Sequence, residues 1–225
     1  MEHSVSGVGV LDKSISVLDV VAAAPGPCTL GDLVAGTGLP KATVHRLAAA
    51  LEAHGLVRRD GEGRYLLGVR LIGLGRAAAA AWPLSEAARP ALEALREATG
   101  ESVQLYRRDG DRRACAVSLE SPHELRTIVA QGALLPLGVG SAGRVLLGEV
   151  GVDGWVESIG ERAPGVASVS APVVVDGQVV AAVGISGPID RLGPHPGAAH
   201  GAAVVAAARA AVEAVEAASA APGAG

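Results

Sequence analysis

Gly138, Gly140 and Gly143, in the stretch LPLGVGSAGRVLLG from Leu135 to Gly148, have the spacing G-x-G-x-x-G. Ahead of a helix, that spacing lets the backbone approach a phosphate closely and aims N–H groups at one spot, where they favour an anion. The guest could be a nucleotide pyrophosphate or something smaller. A nucleotide site needs a parallel βαβ unit, but Pro136 interrupts the strand that would feed the loop, and the neighbouring strands read as hairpins. The segment after Val150 is also too short for a complete unit, and Glu161 falls near the ribose-binding spacing only by coincidence. A small carboxylate remains, facing the N–H groups from Gly140 to Gly143 ahead of a helix expected over 144–149. The bland alternative is a tight turn feeding a buried helix.

Other reactive constellations are thin. His195 and His200 lie five apart in a Pro/Gly-rich segment, with Cys115 the nearest third ligand, which falls short of a zinc spacing. Cys28 and Cys115 have no C-x-x-C partner, so no disulfide framework is expected, and Cys28 reads as a small core or loop residue. No serine has a histidine and a carboxylate argued beside it. Asp109, Asp111, Arg112 and Arg113 read as a solvated turn. The expectation is of no catalytic residue, no metal and no cofactor.

The chain has 225 residues, 49% hydrophobic and only 2% aromatic with no Phe, so its core must be built from Val, Leu, Ile and Ala. Charge is uneven: residues 40–76 carry 7 Lys/Arg against 3 Asp/Glu, and residues 77–225 carry 11 against 16. A basic module before an acidic one is the footprint of a nucleic-acid-binding head on a body with another task. Met1 is followed by Glu2 and His3 rather than a basic stretch and an apolar run, and no 18-residue segment is free of charge or helix breakers. The reading is a soluble, cytoplasmic protein with no membrane partner.

In the head, Leu11, Ile15, Leu18 and Val21 recur at helical spacing until Pro25-Gly26-Pro27 stops the run. Thr29 and Asp32 form a capping-box pair for a short second helix that ends at Gly36-Thr37-Gly38. Pro40 opens a third helix at its first position, with Val44, Leu47 and Leu51 on one stripe and Gly55 at its end. The opposite face presents Ala42, His45, Arg46 and Ala49, flanked by Lys41 and Thr43. Small residues let a helix enter a major groove, Arg and His reach base edges, and Lys and Thr hold phosphates. Next come two short strands, 56–59 and 64–67, joined by Asp-Gly-Glu-Gly, with Arg58, Arg59 and Arg64 around the tip. Three helices and a basic hairpin make a winged helix-turn-helix.

An Ala-rich linker helix follows. Ser85 is expected to cap another helix through Thr99, with a kink or late start at Pro90. Strands at 102–106 and 114–119, then 166–175 joined through Asp176-Gly177 to 178–186, read as hairpins flanked by helices, an α+β body. An Ala/Val-rich helix over 198–221 is expected to pack rather than tether, and Pro222–Gly225 to be disordered. The domains expected are 1–68, a linker at 69–82, and 83–225.

The stretches LPKATVHRLAAALEAHGLVRRDGEGRYLLGVRL, RPALEALREATGESVQLYRRDGD and GVASVSAPVVVDGQVVAAVGISGP resemble the IclR family of bacterial transcription regulators over nearly the whole chain. That resemblance implies a GAF/PAS-like effector domain, a double-stranded DNA operator, a small-molecule effector and a homodimer or homotetramer. Its effector positions fall on Ser141, Ala142, Ser158, Ser168, Gly184 and Ser186. Several depart from the family pattern: Ser158 replaces an Asp, Ser168 a Cys, and Gly184 the first of two serines, while Glu161 keeps an acidic position. The segment between Leu147 and Gly154 is shorter than the family's insertion, which thins one pocket wall. ESIGERAPGVASVSAP and SGPIDRLGPHPG resemble an actinobacterial subgroup tied to amino-acid biosynthesis, so the effector expected is an amino acid or a related acid. A small-molecule enzyme using the glycine loop, and a ligand-independent architectural DNA-binding protein, are the competing readings.

Overall fold

The computed structural model describes residues 8–220, and the chain separates into two compact units, one ending at Ala81 and the other beginning at Trp82. The disorder expected of Pro222–Gly225 lies outside the described residues.

The first unit contains α1 (Gly9–Ala23), α2 (Leu30–Thr37), α3 (Lys41–Ala53), β1 (Val57–Arg59), β2 (Tyr65–Leu67) and α4 (Arg70–Ala80). The capping box forms as its spacing predicts: the Asp32 N–H donates to Thr29 Oγ1 at 3.2 Å, and the Thr29 N–H donates to Asp32 Oδ2 at 2.8 Å. Gly38, left-handed at φ 66°, ends α2. Pro40 is the residue before the helix rather than its first, because its ψ of 138° is extended, and α3 begins at Lys41. Val44, Leu47, Ala48 and Leu51 of α3 are buried with Val17, Val21, Leu33, Val57 and Tyr65. Leu11 and Ile15, expected on the inner stripe of α1, are exposed; the buried residues of α1 are Val17 and Val21, in its C-terminal half. Cys28 exchanges both backbone hydrogen bonds with Tyr65, at 2.9 and 2.7 Å, and so clamps the β1–β2 hairpin to the loop after α1. A two-stranded hairpin needs such support.

The second unit runs α5 (Leu84–Ala87), α6 (Arg89–Thr99), β3 (Ser102–Asp109), β4 (Arg112–Leu119), β5 (Leu134–Pro136), α7 (Ser141–Leu146), β6 (Val156–Ile159), β7 (Val166–Val175), β8 (Gln178–Pro188), α8 (Ile189–Leu192) and α9 (Pro196–Ala220). Ser85 lies buried inside α5 and caps nothing; Pro90 sits in the first turn of α6, where its missing N–H is harmless, so the one helix expected is two. Among the described residues the strands form a six-stranded sheet in the order β5-β4-β3-β8-β7-β6, and each pairing is antiparallel. Pro136 ends the edge strand β5, a position that needs no ladder donor on its outer side. The β7–β8 turn has both Asp176 (φ 51°) and Gly177 (φ 74°) left-handed, the mirror-type geometry that matches strand twist.

Alternation divides this sheet into unlike faces. Val103, Leu105, Val169, Ala171, Val183 and Ile185 meet α6 and α9 in the main core. Ser102, Gln104, Ser168, Ser170, Gly184 and Ser186 are the residues between them, on the α7 side. On β4 the register slips where Leu105 pairs with Val117 but Tyr106 pairs with Cys115, so Ala116 is bulged out. Val117 therefore faces the main core, while Cys115 joins Tyr106 in the smaller α7 core. The α9 helix is long and apolar enough to cross a membrane by length and composition, but Val204, Ala207, Ala208 and Ala211 on it are buried in the main core. Gly197 and Gly201 admit the Trp155 ring: a Cβ at either would come within 2.0 to 2.4 Å of it.

The Thr29 hydrogen bonds hold the Asp32 carboxyl below its usual range. Its contribution to the cap is complete above the ordinary carboxylate range and is lost as pH falls through the lowered value. Thr29→Ala should destabilise the first unit by about 1 kcal/mol and Thr29→Ser by much less. Urea unfolding of the full chain followed by circular dichroism checks this, and equal losses in the two variants would contradict it.

Candidate functional site

Two regions gather the sequence-predicted residues, one in each unit. In the first, the α3 residues Lys41, Ala42, His45, Arg46 and Ala49 are exposed and Thr43 is half-buried, opposite the buried stripe. The hairpin arginines are not alike. Arg58 is exposed, with no ion pair among the described residues. Arg59 lies 3.1 Å from Glu52 and 4.8 Å over the Tyr65 ring. Arg64 Nε donates to Asp60 Oδ2 at 2.9 Å and Arg64 approaches Glu62 at 3.3 Å, while Asp60 Oδ1 accepts the N–H groups of Glu62 and Arg64. Arg64 thus braces the turn with its charge locally matched, and Arg58 is left free to meet another molecule's anion.

In the second unit, a cavity lies between α7 and its sheet face, lined by Gln104, Tyr106, Arg113, Arg162 and a set of small residues that includes Ser141, Ala142, Ser168, Ser170, Gly184 and Ser186. Ser141 Oγ lies 2.8 Å from both Ser168 Oγ and Ser170 Oγ. Ser186 Oγ donates to Gln104 Oε1 at 3.0 Å. Gly184 makes the serine cluster possible, because a Cβ there would sit 2.2 Å from Ser170 Oγ. Ser158 is buried opposite Ser168 in the ladder but does not line the cavity. The cavity space is about 20 Å³, room for roughly one water molecule.

The structure revises the source of positive charge. The helix α7 begins at Ser141 rather than Arg144 and is only 6 residues long, so the glycine stretch overlaps its first turn and its dipole is slight. The Gly140 N–H, expected to be open, donates to Glu161 Oε2 at 3.0 Å, and Glu161 lies 3.6 Å from Arg144. Gly143 is required by packing: a Cβ there would fall 1.9 Å from the Leu137 carbonyl oxygen and 2.5 Å from Arg113 Nη1. Arg113, read from sequence as part of a solvated turn, is instead 2% exposed. It lies beyond the β4 bulge, which turns it onto the α7 side. There it stacks 5.3 Å from the Tyr106 ring and donates through Nη1 to the carbonyls of Pro136 and Val139. Burial pushes the Tyr106 phenol up, the Arg113 guanidinium down and the Cys115 thiol up to about 12, so Cys115 is an unreactive core residue at neutral pH.

Sequence reasoning passed over Gln104, Tyr106, Arg113, Arg162 and Ser170. For Gln104 and Ser170 a signal existed, since Ser102-Val-Gln104 and Ser168-Val-Ser170 alternate polar with apolar residues within their strands. For Arg113 there was none, because a bulge leaves no mark in periodicity.

Comparison with known proteins adds the following. The IclR helix-turn-helix domain model matches residues 10–61, and the model for the C-terminal domain of the bacterial transcriptional regulator IclR matches residues 76–152. The regulator KipR of Bacillus subtilis is 34% identical over 135 residues, covering 60% of this chain and 54% of KipR. The repressor YiaJ of Escherichia coli is 31% identical over 63% of this chain and 51% of its own length, so the chain spans about half the length of these two relatives. The Thermotoga maritima IclR structure superposes with a TM-score of 0.72 at 19% identity, covering 91% of this chain and 98% of that one. An IclR homolog from Microbacterium hydrocarbonoxydans, complexed with 4-hydroxybenzoate, does so at 0.73 and 19%, covering 92% and 99%.

If the glycine pattern serves packing, its members should differ. Gly143→Ala should cost about 1 to 3 kcal/mol of stability through overpacking. Gly138→Ala, with nothing within 4 Å of its would-be Cβ, should be near neutral. Thermal unfolding of the two variants measures this, and equal tolerance at both positions would refute the packing role.

Proposed function

Since the chain belongs to the IclR family of bacterial transcriptional regulators, we propose that it is a cytoplasmic, sequence-specific DNA-binding regulator whose operator affinity changes when a small carboxylate occupies the α7 cavity. The observation that carries the DNA-binding half is the outward face of α3. Arg46 and His45 are exposed near its start, Lys41 and Thr43 flank them, and the opposite face is fully committed to the core. In this reading α3 enters the major groove, Arg46 and His45 meet base edges, Lys41 and Thr43 hold phosphates, and Arg58 reaches the backbone or minor groove from the hairpin. The effector half is supported by the buried polar cavity beside Ser141, Ala142, Ser168 and Ser186, and by an organic acid, 4-hydroxybenzoate, bound to a protein of the same fold. Amino-acid metabolism is the target that the wording of the second unit suggests.

One head offers too few contacts to specify a site in a genome, so the working unit proposed is a homodimer or homotetramer. Paired heads would read half-sites one turn, about 34 Å, or a multiple apart. The relatives are named as regulators and repressors, and the enzyme reading finds no support among them.

Binding measured by fluorescence anisotropy on a footprinted operator and on unrelated DNA separates these roles. Arg46→Ala should lose about 1 to 3 kcal/mol on the operator alone. Arg58→Ala should weaken both DNAs and lower the salt slope by about 1. Arg64→Ala should change the slope less, because Asp60 and Glu62 already match its charge. A uniform loss from all three would show that the recognition face is misassigned.

A further inference from the structure

Two buried hydrogen-bond donors face the same cavity without a partner. Arg113 and Gln104 are each 2% exposed, and neither Arg113 Nε nor Gln104 Nε2 has a hydrogen-bond acceptor. A buried donor left unpaired costs about 1 to 3 kcal/mol, more when charged, and native structures keep few of them without a functional reason. Arg113 Nη1 donates to the backbone carbonyls of Pro136 and Val139 rather than to a carboxylate. The titratable neighbours that act on it are Tyr106, Arg162 and Cys115. Arg162 lines the same cavity, and among the described residues no Asp or Glu does. Leaving a buried charge without an anionic partner is strongly unfavourable, so an anion placed here would be favoured.

We infer that Arg113 is the counter-charge for the effector's carboxylate and that Gln104 Nε2 donates to a second acceptor on the same molecule. The inference rests on the reading that the effector occupies this cavity, and it narrows the effector's chemistry. Both orphans are donors, so the ligand must bring acceptors. The serines adapt to either role, since a hydroxyl both donates and accepts. A 2-oxo acid, a 2-hydroxy acid or a dicarboxylate meets the demand. A 2-amino acid does not, because its ammonium brings three more donors and a positive charge into a space already holding two arginines. The amino acid expected from sequence therefore gives way to its oxo or hydroxy counterpart.

Titration calorimetry of the full chain with two matched sets tests this: pyruvate, lactate and alanine, then 2-oxoglutarate, 2-hydroxyglutarate and glutamate. In at least one set the oxo or hydroxy acid should bind at least about ten-fold tighter than the amine on the same skeleton. Arg113→Met, close in length and uncharged, should weaken that acid about ten- to hundred-fold, and Gln104→Met should weaken it less. The wild-type comparison needs no variant, so it stands even if Arg113→Met fails to fold. Acid binding that ignores the amine and survives Arg113→Met would overturn the assignment of Arg113 and leave the cavity reading in place. No binding by any acid or amine of either set would overturn both.

Discussion

A sheet covered by helices on both sides ordinarily carries apolar residues on both. Here the side toward α6 and α9 carries the larger core, with Val103, Leu105, Val169, Val183 and Ile185, and the α7 side sets a smaller apolar cluster beside polar residues. The face beneath α7 holds Gln104, Arg113, Ser168, Ser170 and Ser186. Burying an ionised guanidinium costs several kcal/mol even after relaxation, and only a well-packed opposite face can carry such a load. The second unit thus carries its larger apolar core on one side of the sheet and its buried polar cluster on the other.

The α7 segment is short and buried. It is one short helix, bracketed by Gly140 at φ 78° and Gly148 at φ 84°, and its approach through Pro136 and Val139 is held by hydrogen bonds from Arg113 itself. The space beside it is about 20 Å³, the volume of about one water.

Much of this was legible in the sequence because it depends on local rules. The Thr29–Asp32 cap, the Val44–Leu47–Leu51 stripe, and the turns at Asp60 and Asp176-Gly177 each follow from neighbouring residues, and the residues that the family motifs singled out include Ser141, Ala142, Ser168, Gly184 and Ser186, which line one cavity. What could not be read depends on partners distant in the chain. The burial of α1 is confined to Val17 and Val21, which depends on partners outside the helix. Arg113 changes face only through the bulge opposite Tyr106. Glu161 reaches Gly140 across 21 residues and takes the N–H that the glycine pattern had assigned to a ligand. The hydroxyl contacts of Ser141 span 27 and 29 residues and depend on Gly184 from another strand.

The central claim is that one chain couples acid recognition in its second unit to operator recognition in its first. Measuring the operator Kd with and without a saturating acid that binds the wild type, and that acid's Kd with and without operator, tests the claim directly. Thermodynamic linkage requires one factor to appear in both pairs. The account predicts a shared factor of about 5 to 150 in either direction. An acid that binds the cavity while leaving operator affinity unchanged would contradict it.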